Sequence, residues 1–138
     1  MYNNIMVPVD LGHTKTLGRA LETAADLAKH YGAKVTYVGV TSSAPGSVAN
    51  SPEDYQAKLG EFAKSQADAH NVKTAAHSAV SHDPSVDLDP TLLKAAATIE
   101  ADLIVMQSHI PGLADHLWPS NGGKIARQAK CSVMIVRD

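Results

Sequence analysis

At 138 residues, the chain has the length of one domain, 1-138, able to bury a single continuous core. Charged residues make up 19% and hydrophobic residues 44%, the balance of a globular protein that folds in water. A formal net charge of -2 gives no electrostatic basis for binding nucleic acid or an anionic membrane, and no apolar run is long enough to span a bilayer.

The polar start Met1-Tyr2-Asn3-Asn4 lacks the charged and apolar regions of a secretory signal, and the single cysteine, Cys131, forms no intrachain disulfide. A cytoplasmic location is therefore expected. Ile5-Met6-Val7-Pro8-Val9 reads as the first strand. The following segment places Leu17, Ala20, Leu21, Ala24, Leu27 and Ala28 on one helical face, and Lys29, His30 and Gly32 supply its stop. Val35 to Val40 is a second, β-branched strand.

A Ser/Pro/Gly/Asn loop from Ser42 leads to Ser51-Pro52-Glu53-Asp54, a helix start with a capping hydroxyl, a proline at the first position and early acids. Tyr55, Leu59, Phe62, Ala63 and Ala67 form the buried stripe of that helix. Val72 to Val80 is a third, more polar strand suited to a sheet edge. The acidic segment Ser81 to Pro90 reads as a surface loop, with a lid over the site as the alternative, and Asp89-Pro90 starts a third helix. Leu103-Ile104-Val105-Met106 is an uninterrupted apolar run, as a strand covered on both faces requires. A loop from Gln107 to Pro119, a short helix and the strand Val133 to Val136 complete the chain.

Alternating strands and crossover helices predict an open, parallel α/β sheet. Such sheets bind ligands beyond the carboxyl ends of their strands, so Asp10, the residues from Val40 to Ser42 and those from Gln107 onward are the candidates. A helix start at Ser120-Asn121-Gly122-Gly123 offers unpaired amides and a partial positive charge to a phosphate. Two first-turn glycines cost about 1 kcal/mol each relative to alanine, a cost that close approach of a ligand would offset. Lys124 opposes the helix dipole unless an anion lies nearby. Simple capping by Ser120 or Asn121 explains the same residues, and both readings stay open. The seven histidines show no ligand spacing that would hold a metal, and Cys131 reads as a small buried hydrophobe.

Ile5-Met6-Val7-Pro8-Val9-Asp10 at one end, and Ser108-His109, Pro111-Gly112-Leu113, Ser120-Asn121 and Ala129 to Val136 at the other, resemble the universal stress protein family over nearly the whole chain. The resemblance implies a Rossmann-like open five-stranded parallel sheet of order 3-2-1-4-5 with helices on both faces. It further implies an adenine nucleotide, ATP or another, with or without Mg, bound by a stress-response regulatory protein. Carried over, the base and ribose fall to Pro8, Val9 and Asp10, and adenine to Val40. The phosphates fall to Met106, Gln107, Ser108, His109, Gly112, Ser120, Asn121 and Gly122.

A homodimer through the last strand, and a regulatory protein partner, are further expectations of the family. Gln107 and Ile110 stand where the family has glycines, and Pro119, which has no N–H, precedes Ser120. These departures keep a nucleotide-free interaction module as a rival reading. A slow ATP hydrolase is a weaker rival, because no Walker lysine motif is present.

Overall fold

A computed structural model describes residues 1–108 and 121–137, apart from the side chains of residues 84–86 and 121. The strands are β1 (Asn4–Pro8), β2 (Lys34–Thr41), β3 (Thr74–Val80), β4 (Leu103–Gln107) and β5 (Ser132–Val136). The helices are α1 (Gly18–Tyr31), α2 (Pro52–His70), α3 (Pro84–Thr98) and α4 (Asn121–Gln128), with a 3-10 segment at Leu11–Leu17 before α1. All strand pairs are parallel, in the expected order β3-β2-β1-β4-β5.

Period-two alternation divides the core into two layers. Ile5, Val7, Val9, Val35, Tyr37 and Val105 pack with Ala20, Ala24 and Leu59 of α1 and α2. Met6, Val38, Ile104 and Met106 pack on the opposite face with Leu92 of α3 and Ile125 of α4. Each fully buried aliphatic side chain contributes roughly 1.5–3 kcal/mol, so helices cover both faces of the sheet.

The helix ends follow local chemistry. Ser51 caps α2 by accepting from the Asp54 N–H at 3.1 Å. Gly32 (φ +68) and Asn71 (φ 55) close α1 and α2 in the left-handed region. α1 has an unusual start, because its N-cap residue, Leu17, offers no capping side chain.

Two boundaries differ from expectation. β3 begins at Thr74 and not at Val72. α3 begins at Pro84, so most of the segment expected as a loop is helical and Pro90 lies inside the helix. Asp83-Pro84 meets the same requirements for a start as Asp89-Pro90, and the Asp83 carbonyl accepts the Asp87 N–H at 2.9 Å. Pro90 sits at an exposed position, where it costs one intrahelical hydrogen bond without burying an unmatched group.

At the amino ends of the strands, the Asp102 carboxylate accepts the N–H groups of Asn3 (2.7 Å) and Asn4 (3.1 Å). The Asn4 side-chain amide donates to the carbonyls of Ile99 and Glu100. These bonds fix the register of β1 against β4.

Tyr37 is fully buried, its ring edge-on to Phe62 at 5.3 Å between centroids, and its hydroxyl has no hydrogen-bond partner. Burial pushes its phenol up to about 12. Because an unpaired buried hydroxyl costs about 1–3 kcal/mol, Tyr37→Phe should raise the unfolding midpoint by several degrees. Differential scanning calorimetry checks this, and a lower midpoint would show that the hydroxyl has a partner.

Candidate functional site

β1 pairs with β2 over five residues, from Asn4↔Lys34 to Pro8↔Val38. Against β4 it pairs only at Ile5↔Leu103 and Met6↔Ile104. The two strands therefore part toward their carboxyl ends, at the point where the strand order reverses. That is where an open α/β sheet forms a ligand crevice.

Pro8 is buried within β1, and Val9 is a core residue whose N–H donates to the Val38 carbonyl at 2.8 Å. Neither presents its side chain as a polar ligand group. Asp10 does. Its backbone is extended, and its Oδ1 accepts the Gly12 N–H at 2.8 Å, while its carbonyl accepts the His13 N–H at 3.0 Å. Asp10 thus starts the 3-10 segment as its N-cap. His13 Nδ1 lies 3.6 Å from Asp10 Oδ1, with the carboxylate side chain 24% exposed. Asp10 Oδ2 makes no hydrogen bond among the described residues, which leaves one carboxylate oxygen for a donor from outside.

The crevice wall on the β2 side was only partly foreseen. Val40 is half-buried and packs against the α3/α4 layer. Its neighbour Gly39 faces α2, where a Cβ would stand 2.3 Å from the hydroxyl oxygen of Tyr55. Only glycine permits that approach. Tyr55 is 5% exposed. Burial raises its phenol pKa, and the nearby Asp10 charge raises it further. Sequence periodicity placed Tyr55 on a core stripe. The glycine interrupting a β-branched strand was the signal that something approaches there. Val48, from the loop before α2, covers Gly12 on the same side: a Cβ on Gly12 would meet Val48 Cγ2 at 3.5 Å.

At the end of β4, Met106 is 2% exposed and belongs to the core. Gln107 is 9% exposed, and its Oε1 accepts the Ala20 N–H at 3.2 Å. Its side chain crosses the gap between β4 and α1 and supplies the cap that Leu17 cannot. The Ser108 N–H donates to the Val136 carbonyl at 2.6 Å, so that amide continues the β4–β5 ladder. Gly122 lies against β5, where a Cβ would meet Ile135 Cδ1 at 3.1 Å. Close helix–sheet contact is therefore one constraint on this glycine.

Burial raises the Asp89 pKa on α3, and the Lys124 charge on α4 acts against that rise. His109, Gly112 and Ser120 lie outside the described residues, as does the side chain of Asn121.

The opposite end of the sheet carries a cavity of about 240 Å³ lined by Leu93, Ala96, Ala129 and Cys131. Cys131 is half-buried, not fully buried as expected, and burial pushes its thiol up. It is therefore a poor nucleophile. Among the described residues no group of three or more His, Cys, Asp or Glu side chains could hold a metal ion.

Residues 1–137 match the model of the Universal stress protein family. Universal stress protein G of Salmonella typhimurium is 25% identical over 151 aligned positions, covering 99% of this chain and 100% of that protein. A crystal structure of a universal stress protein in complex with cAMP is 21% identical, with a TM-score of 0.70 and coverage of 98% of this chain and 97% of the other. The universal stress protein of Archaeoglobus fulgidus in complex with dAMP is 20% identical, with a TM-score of 0.67 and 97% of both chains covered. Because the family model spans all but the last residue, the chain belongs to the universal stress protein family.

Proposed function

We propose that this protein binds an adenine nucleotide, ATP or another, in the crevice between the carboxyl ends of β1 and β4, and that binding regulates its association with partners. The observation that carries the reading is the Asp10 carboxylate, held in place through Oδ1 with Oδ2 uncommitted, where β1 and β4 part. A fixed carboxylate accepts two donors well, as from a ribose or a base amine. Two relatives of the same fold were crystallised with adenine nucleotides, cAMP and dAMP. A cytoplasmic, stress-responsive role accords with family membership, and no helix among the described residues is long and apolar enough to cross a membrane. Mg would enter with a triphosphate, as its counter-ion.

The β4 side favours a second reading, a nucleotide-free interaction module. Gln107 spends its side-chain carbonyl on α1 and Ser108 spends its N–H on β5, so two groups in the phosphate region are committed within the fold.

Thermal unfolding separates the two. At a hundredfold excess over Kd, a ligand adds about 2.7 kcal/mol of stability, a rise of several degrees in a domain of this size. The expected result is a rise with Mg-ATP or AMP and none with GTP. In Asp10→Asn, which keeps the capping acceptor, the rise should be largely lost. No rise with either adenine nucleotide would support the nucleotide-free module.

The dimer is a proposal on different grounds. β5 is an edge strand, and Met134 and Ile135 are 39% and 37% exposed on it. An apolar strand edge invites pairing with a second copy. Sedimentation velocity should show a dimer for the native chain and a monomer for Met134→Lys. A native chain that stays monomeric at 100 µM, a concentration on the order of a weak dimer's dissociation constant, would contradict the pairing.

A further inference from the structure

The geometry points to Tyr55 as a ligand-recognition residue of the crevice, its hydroxyl donating to a ribose hydroxyl that in turn donates to Asp10. The inference rests on the nucleotide reading above and adds a residue and a contact to it.

Tyr55 lies in the first turns of α2, its N–H donating to the Ser51 carbonyl at 2.9 Å. Its ring is buried in the same cluster as Ala49 and Leu59, while its hydroxyl lies over Gly39 near the carboxyl end of β2. Val9, the residue before Asp10, bonds Val38, the residue before Gly39, so the hydroxyl stands level with the end of β1. The Tyr55 hydroxyl makes no hydrogen bond among the described residues. A buried tyrosine normally directs its hydroxyl to a partner, because leaving it unpaired is costly.

Tyr37 shows the contrast. Its unpaired hydroxyl lies in mid-strand, where Tyr37 pairs with Val7 and Ala76, and no ligand would reach it in the packed core. Tyr55 stands at the strand ends, its hydroxyl at Gly39 level with Val9, the residue before Asp10, whose carboxylate also has an uncommitted oxygen. Burial and the Asp10 charge both keep its phenol protonated, so it remains a donor. A donor next to a fixed acceptor matches a ligand hydroxyl, which accepts from one and donates to the other. The vicinal hydroxyls of ribose provide that group. A glycine at position 39 is what allows the phenol to reach this place.

Isothermal titration with AMP, 2′-deoxy-AMP and 3′-deoxy-AMP, on the native chain and on Tyr55→Phe, tests the contact. One neutral hydrogen bond corresponds to about a three- to tenfold change in affinity. Tyr55→Phe should weaken AMP by that factor, and the effect should vanish with whichever deoxynucleotide lacks the contacted hydroxyl. The variant should melt at or above the native temperature, because the lost hydroxyl has no partner among the described residues. Unchanged AMP affinity in Tyr55→Phe overturns the inference while leaving the nucleotide reading standing. Equal weakening for all three nucleotides also overturns it, since Tyr55 would then act through the shape of the site. A native chain that binds no AMP overturns both.

Discussion

The parting of β1 and β4 is the constraint on which the rest of the molecule depends. At their amino ends the two strands are locked by the Asp102 carboxylate on the Asn3 and Asn4 amides and by the Asn4 side chain on the Ile99 and Glu100 carbonyls. Two register pairs later the ladder ends. A right-handed crossover on each side of β1 then places α1 and α2 on one face and α3 and α4 on the other. Beyond those pairs no further β1–β4 register pair forms among the described residues.

Several groups respond to that opening, and they divide the work. Gln107 reaches across it from β4 to cap α1, doing for the helix what Leu17 cannot. Asp10 turns the chain out of β1 and keeps one carboxylate oxygen uncommitted. Gly39 carries no Cβ, which lets Tyr55 come forward from α2. Among the described residues, the β1–β2 side of the crevice therefore offers uncommitted polar groups, and the β4 side groups already engaged within the fold.

The fold was legible in the sequence because period-two apolar runs and capped amphipathic stretches are local signals. Ser51-Pro52 marked α2 and Gly32 ended α1 as their side-chain chemistry dictates. The α3 start was misplaced because two Asp-Pro pairs satisfy the same local rule, and only tertiary packing chooses between them. The site was less legible. Asp10 could be placed from its position after a strand. The other contacts join residues far apart in sequence, as Gln107 to Ala20 and Tyr55 to Gly39 do, and no local pattern announces them. Gly122 and Lys124 read as ligand groups in the sequence, and their contacts with Ile135 and Asp89 lie on other elements that no local pattern announces.

As a member of the universal stress protein family, the protein combines a rigid sheet with a crevice whose polar groups are only half used. The central claim is that an adenine nucleotide takes up the unused half. Two-dimensional ¹H–¹⁵N spectra of the labelled chain, titrated with AMP, test it most directly. The amides of Gly12, Gly39 and Val40, at the carboxyl ends of the strands, should move with ligand, while those of Ala101 and Cys131, at the opposite end of the sheet, stay in place. Shifts confined to the Cys131 end, or none anywhere, would contradict it.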